Sequence, residues 1–287
     1  DEVEITSFVS PKWIPQLADA EDVASRLRGR IGGRKRDGSN TSRTGDPVFS
    51  VLVPNEKGLE RALALHDPEG GFPLKIALFT AASETFSRKN TNATIAETIE
   101  RFRPIVPRAT DAGMDIRLYI SCAVACPFEG AIAPAQVRRV ADMLLDLFES
   151  PGARSRAELD LGDTIGVATT AQIDALLNQF SASERAGLTL HLHDTFGRAS
   201  DCVRAALAMG VRSFDGATGG LGGCPYASTP QRRAPGNIST EALVSAVRSV
   251  GFATHVNDAS LQTAAEFARA IVHSARAAQP QTPGGSA

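Results

Sequence analysis

Short β-forming runs alternate with amphipathic helical stretches along almost all of the 287 residues, and that rhythm constrains the fold more than any other feature. The strand runs are residues 3–8, 48–53, 74–79, 115–121, 157–161, 188–193 and 211–214. Consecutive strands joined through a helix must run the same way, so the pattern demands a parallel sheet. At this length it predicts an α/β fold, the (β/α)8 TIM barrel, over residues 1–278. A doubly wound sheet is the alternative. Seven strands are one fewer than a closed barrel needs. The barrel's first strand is therefore expected to be missing from this sequence, which would leave two unpaired edges.

The helices are marked by local chemistry. Thr94 and Glu97 form the S/T-x-x-E pattern of a capping box ahead of Ile95, Ile99 and Phe102. Val137, Val140, Ala141, Leu144 and Phe148 recur at helical spacing, the stripe of a helix docked on a sheet. Residues 172–180, 201–209, 240–250 and 259–278 read the same way. Residues 29–47 are polar and Gly-rich and read as a surface insertion. Its Arg34, Lys35 and Arg36 could touch a phosphate, though a solvated loop is the simpler reading. The tail, residues 279–287, has the composition of a disordered segment.

Composition serves mainly to exclude. The chain is 43% hydrophobic and 22% charged, which supplies a core and rules out general disorder. A net charge of -2 offers no basic excess for nucleic acid. No apolar run is long enough to span a membrane. The four cysteines, Cys122, Cys126, Cys202 and Cys224, are too scattered for a disulfide framework and fit reduced thiols in an intracellular protein. The chain begins at Asp1 without Met, so a truncated or processed N-terminus is expected.

In a parallel barrel the chemistry collects at the C-terminal ends of the strands. His191 and His193 lie two apart at one such end, hence on one face, as a pair of metal ligands would. Satisfied barrel histidines are the alternative, but two of only five His in the chain sit here. Asp163 follows Gly162 where another strand meets its loop, placed to act as a general base or metal ligand, or as an N-cap. Residues 219–226 carry four glycines around Cys224 and Pro225, a loop that could approach a ligand and present a thiol, or a plain Gly-rich turn. Asn237, before the helix at 240, is an N-cap or a neutral oxygen ligand. Glu4 lies among β-formers and should point into the polar end of the barrel. Cys122 and Cys126, spaced C-x3-C, lack a zinc pattern and read as buried thiols.

Several segments together resemble the 3-hydroxy-3-methylglutaryl-CoA lyase family, among the metal-dependent lyase and condensing-enzyme TIM barrels. They are Glu4 to Trp13 (EITSFVSPKW), Val53-Pro-Asn55, Ala81-Ala-Ser-Glu84, Ser121-Cys122 through Cys126-Pro-Phe-Glu-Gly130, Leu161-Gly-Asp-Thr-Ile-Gly166, His191-Leu-His-Asp-Thr195 and Gly220-Leu-Gly-Gly-Cys-Pro-Tyr226. The cysteine loop is the most specific, because condensing synthases share the His-x-His strand without it. The resemblance implies cleavage of 3-hydroxy-3-methylglutaryl-CoA to acetyl-CoA and acetoacetate. It implies a divalent metal, Mg2+ or Mn2+, held by His191, His193 and Asn237. Cys224, Asp163 and Glu4 would be catalytic, and Ser7, Asn55, Gly222 and Gly223 would bind substrate. It also implies an acyl-CoA substrate, a homodimer, and a mitochondrial matrix setting in a eukaryote or a cytoplasmic one otherwise.

The sequence departs from that pattern in three places. The family's first strand carries an Arg-Asp-Gly motif, expected to lie upstream of Asp1. Arg36-Asp37-Gly38 repeats the letters inside the polar insertion and is read as a decoy. Residues 228–233 lengthen the segment between Cys224 and Asn237. Asp160 stands where a small hydroxyl residue is expected, and its charge is expected to act on Asp163. Alternatives to the lyase are an enzyme for a related 3-hydroxy-3-alkylglutaryl-CoA and a non-catalytic truncated paralogue. A condensing synthase is disfavoured by the cysteine loop.

Overall fold

A computed structural model describes residues 2–12, 14–31, 47–222 and 236–277. The elements are β1 (Glu2–Ser7), α1 (Ala20–Ile31), β2 (Val48–Leu52), α2 (Glu56–Leu65), β3 (Leu74–Ala81), α3 (Glu84–Thr91), α4 (Ile95–Phe102), α5 (Ile105–Asp111), β4 (Ile116–Ser121), β5 (Ala125–Cys126), β6 (Gly130–Ala131), α6 (Pro134–Leu145), α7 (Pro151–Arg154), β7 (Ala157–Asp163), α8 (Thr170–Leu177), α9 (Ala182–Ala186), β8 (Thr189–Leu192), α10 (Ala199–Ala208), β9 (Ser213–Asp215), α11 (Thr240–Ser249) and α12 (Asp258–Ala277). All seven expected strands form, and they pair in parallel in the order β1-β2-β3-β4-β7-β8-β9. The helix α1 runs through residues 29–31, so the expected insertion starts later than the sequence reading placed it. Arg34, Lys35, Arg36 and the decoy at 36–38 lie outside the described residues, as does the tail 279–287.

The two faces of the sheet differ sharply. Side chains alternate along each strand, and the outward set is apolar: Phe49 and Val51, Leu74, Ile76 and Leu78, Ile116, Leu118 and Ile120, Leu159 and Leu161, Leu190 and Leu192. These pack under the helix stripes, including Ile95, Ile99 and Phe102 of α4 and Val137, Val140, Ala141 and Leu144 of α6. The Thr94–Glu97 capping box forms in full at the start of α4. The inward set is mostly polar: Glu2 and Glu4, Lys75, Arg117 and Tyr119, Glu158 and Asp160, Thr189 and His191, Asp215, with Leu52, Ala77 and Phe79 among them.

Contacts within the inward set prove that the sheet curls. β1 and β9 lie at opposite edges, six strand spacings apart, or about 29 Å if the sheet were flat. Yet the Tyr119 hydroxyl is 3.5 Å from Glu4 Oε2 on β1 and 3.3 Å from Asp215 Oδ2 on β9. Only a sheet wrapped into a barrel brings those strands to one side chain.

Strand β1 changes phase along its length. Glu4 pairs with Ser50 and Thr6 with Val51, so Ile5 and Thr6 together oppose one residue, as in a β-bulge. Glu4 and Ser7 therefore face inward, while Phe8 joins the outward core beside α2.

Candidate active site

The lower part of the barrel interior is an ion-pair network. Arg117, 6% exposed, donates to Glu158 Oε1 at 2.9 Å and to Glu2 Oε2 at 3.0 Å. Lys75 bridges the same two carboxylates, reaching Glu2 at 2.9 Å. Burial pushes the Glu158 carboxyl up, but Arg117 and Lys75 outweigh it and hold the group below the usual carboxylate range. Thr189 donates to Glu158 and accepts from the Ser213 hydroxyl at 2.7 Å. The network ties β1, β3, β4, β7, β8 and β9 together across the lumen.

Above it stand the groups singled out from the sequence. His191 Nδ1 donates to Asp215 Oδ1 at 2.5 Å. Burial disfavours the His191 imidazolium, but the Asp215 charge and this hydrogen bond prevail and raise its basicity. The Asn237 side chain hydrogen-bonds the same ring. His193 Nδ1 donates to the Asp163 carbonyl at 2.9 Å, and the two imidazoles lie 5.0 Å apart between ring centres. Burial, then the neighbouring His191, push His193 down to about 4, so it is neutral at ordinary pH. Asn237 pairs by its backbone with His193, and its Nδ2 donates to Leu221 O at 3.1 Å. It does not cap α11, because Ser239 does.

Glu4 sits beside this group, as the sequence suggested. Desolvation by the surrounding protein and then the Asp215 charge push its carboxyl up to about 7. Tyr119 is held strongly towards its neutral form, by burial first and by the Asp215 and Glu4 charges next. It is therefore a standing hydrogen-bond donor between those carboxylates.

Asp163 is placed differently from Glu4. Its carboxylate accepts the Val167 and Ala168 amides at 3.2 and 2.9 Å, while Thr169 caps α8. Burial raises its pKa despite these bonds. Its side chain anchors the loop after β7, and its carbonyl fixes His193. The expectation that Asp160 acts on Asp163 is overturned: the two are three residues apart on a strand and face opposite sides. Burial first, and then the Asp215 charge, hold the Asp160 carboxyl above the usual carboxylate range.

The remaining candidates are scattered around the rim. Ser7 ends β1, with its Oγ accepting from Val9 N at 3.3 Å. Asn55 caps α2 by accepting from Gly58 N at 3.1 Å, which commits its side-chain oxygen. Gly222 has φ +83, and a Cβ there would stand 3.0 Å from Asn237 Nδ2. Gly223, Cys224 and residues 228–233 lie outside the described residues. Cys122, Cys126 and Cys202 are buried.

Sequence reading missed Asp215, Tyr119, Arg117 and Lys75. Their signal was available as charged or polar residues alternating with Leu and Ile, as in Ile116-Arg-Leu-Tyr-Ile120.

Whether these groups fit a divalent cation turns on the imidazoles. Each Nδ1 is engaged by an acceptor, which turns each Nε2 away from those partners, as in metal-bound histidines. The Asn237 side chain, hydrogen-bonded to the His191 ring, adds a neutral group beside them, and imidazole with carboxamide is a donor set that divalent cations accept. Among the described residues, no three His, Cys, Asp or Glu side chains converge on one such point.

A curled parallel sheet with an acid–base cluster and two neighbouring imidazoles at its strand ends defines an enzyme of the (β/α)-barrel class. The chain matches the HMGL-like family over residues 38–268 and belongs to it. It is 40% identical over 266 residues to the mitochondrial hydroxymethylglutaryl-CoA lyase of Rattus norvegicus, covering 92% of this chain and 72% of that protein. The HMG-CoA lyase structure from Brucella melitensis superimposes with a TM-score of 0.77 at 40% identity, covering 94% of this chain and 85% of that one. An HMG-CoA lyase from Acinetobacter baumannii, in complex with coenzyme A and 3-methylmalate, matches with a TM-score of 0.73 at 30% identity, over 100% and 86% of the two chains.

Proposed function

We propose that this chain is a carbon–carbon lyase that cleaves 3-hydroxy-3-methylglutaryl-CoA to acetyl-CoA and acetoacetate. The observation that carries the reading is the pairing of Glu4, poised near neutrality, with His191 and His193 oriented through their Nδ1 atoms. Kinship with lyases about 40% identical over most of the chain supports the substrate.

The reaction is a retro-Claisen scission. Glu4, ionised, takes the tertiary hydroxyl proton on a carboxylate oxygen, and the Tyr119 hydroxyl holds that carboxylate in place. The hydroxyl oxygen becomes the ketone of acetoacetate as the C–C bond breaks. The bond pair passes into the acetyl-CoA enolate, whose carbon then takes a proton. Cys224 is the acid for that last step. A divalent metal held by His191, His193 and Asn237 would lower the hydroxyl pKa and orient the oxygens when bound. Asp163 positions His193 through its carbonyl and steadies the adjoining loop. Ser7, Asn55, Gly222 and Gly223 would line the approach of the acyl-CoA. One domain over residues 1–278, a homodimer, and an intracellular setting, the mitochondrial matrix if the source is eukaryotic, complete the reading. No helix among the described residues is long and apolar enough to cross a membrane.

The test is acetoacetate release from 3-hydroxy-3-methylglutaryl-CoA by the full chain with Mn2+ or Mg2+. Turnover that a chelator abolishes and Mn2+ restores is expected. Turnover indifferent to chelator, or tight Mn2+ binding without turnover, would refute the reading.

A further inference from the structure

Arg198, at the start of α10, turns its guanidinium to backbone carbonyls. Its Nε donates to Ala168 O at 3.1 Å and its Nη2 to Val167 O at 2.7 Å. Both carbonyls belong to the loop between β7 and α8. The amides of the same two residues go to the Asp163 carboxylate, at 3.2 and 2.9 Å. All four backbone polar groups of Val167 and Ala168 are therefore engaged, by Asp163 on one side and Arg198 on the other.

These contacts close into a ring. His193 donates through Nδ1 to the Asp163 carbonyl at 2.9 Å, Asp163 takes the two amides, and Arg198 takes the two carbonyls. Arg198 follows His193 by five residues. The turn between them is fixed by Asp194, whose carbonyl accepts from Gly197 N at 3.2 Å and whose carboxylate accepts from Ala199 N at 3.0 Å. The two loops also touch directly: Gly166 has φ +68, and a Cβ there would stand 2.8 Å from Thr195 N. The guanidinium lies over the Phe196 ring, 5.1 Å from its centre, and is supported from within its own turn. Arginine suits this place because its donors form a rigid planar fork that can take two neighbouring carbonyls, whereas an ammonium gathers its donors on one atom. We propose that Arg198 is a positioning residue, whose fork holds the loop after β7 against the start of α10 and so keeps the Asp163 carbonyl on Nδ1 of His193. The consequence for metal affinity rests on the reading of His193 as a ligand, but the ring does not.

The test compares Arg198→Met and Arg198→Lys with Arg138→Met in the full chain without substrate. Arg138 also donates to a backbone carbonyl and lies over a phenylalanine ring, Phe180, but it does so in the helix layer, so its loss registers general stability. The readouts are solvent exchange of the His193 Nδ1 proton in metal-free protein by NMR, and the Kd for Mn2+ by calorimetry, with thermal melting alongside. Arg198→Met is expected to speed exchange about tenfold or more. It should weaken Mn2+ binding about tenfold or more, in the range of outer-shell substitutions. Arg198→Lys should move both readouts in the same direction, and Arg138→Met should lower Tm and move neither. Exchange at the wild-type rate in Arg198→Met would overturn the proposal, as would equal acceleration in Arg138→Met. A Lys variant indistinguishable from wild type would overturn it too, and that variant decides if the Met variant does not fold. A wild-type chain that binds no Mn2+, or faster exchange with unchanged Kd, would sink the metal reading instead, and exchange would still decide the role of Arg198.

Discussion

Replacing Arg117 by Met should destabilise the protein, and by an amount that depends on pH. Met keeps much of the length of the side chain and removes its charge. The inward layer holds the carboxyls of Glu2, Glu4, Glu158, Asp160 and Asp215 against the cations of Lys75 and Arg117. Arg117 is the cation in contact with Glu2 and Glu158 and within 3.8 Å of both Asp160 and Asp215. Removing one partner of a buried pair costs about 3–5 kcal/mol, because the other charge stays behind. Against a total stability of about 5–15 kcal/mol this is a large fraction. It corresponds to a fall in Tm of roughly 10 °C for a chain of this size. The sign with pH follows from which groups Arg117 holds down. Despite burial, Glu158 is depressed by Arg117 first, and Asp215 by His191 first and then by Arg117, so the Arg117 contribution is full above the ordinary carboxylate range and fades as pH falls through their lowered values. Without Arg117 both carboxyls titrate higher, and the deficit grows as pH rises from about 4 towards 7. Thermal and urea unfolding of wild type and Arg117→Met at pH 5 and pH 8 would measure it. A loss below about 1 kcal/mol at pH 8, or an equal loss at both pH values, would refute the reasoning.

Glu4→Gln should lower kcat/KM by about 10²–10⁴, and the acidic limb near pH 7 in the wild-type profile should vanish with it. Asp215→Asn should weaken Mn2+ binding about 10–100-fold by calorimetry, since the hydrogen bond to His191 loses its charge. The same variant should move the Glu4 limb to lower pH, because the Asp215 charge is the second cause that holds Glu4 up. Thr94→Ala should cost about 1 kcal/mol through the lost capping box while leaving turnover untouched, which chemical denaturation and a parallel assay would show.

The periodicity of apolar residues made the architecture legible. Each strand run overlaps a strand of the sheet, the last displaced from 211–214 to Ser213–Asp215, because Leu and Ile at every second position of the longer strands have only the helix layer to pack against. His191 and His193 were legible for the same reason, being two apart at a strand end. The parity that pairs them also explains what was missed. Asp160 and Gly162 point inward, so Asp163 cannot, and its carboxylate goes to loop amides. Asp215 was overlooked because β9 is only three residues long and lacks a clear alternation. The partnership of Tyr119 with Glu4 and Asp215 joins strands far apart in sequence, and only the curl of the sheet creates it.

The bulge at Ile5 and Thr6 gives β1 one residue more than its partner strand needs. Deleting Ile5 would leave Glu4 opposite Ser50, Thr6 opposite Val51 and Ser7 opposite Leu52, so Glu2, Glu4 and Ser7 would still face the lumen and Phe8 the helices. β3 and β4 hold no such spare residue, because their register is unbroken. A one-residue gap inside either would turn the side chains on one side of it to the opposite face, placing Lys75 or Arg117 in the apolar layer in the worst case. Libraries that vary this enzyme by deletion should therefore find β1 more forgiving than β3 or β4.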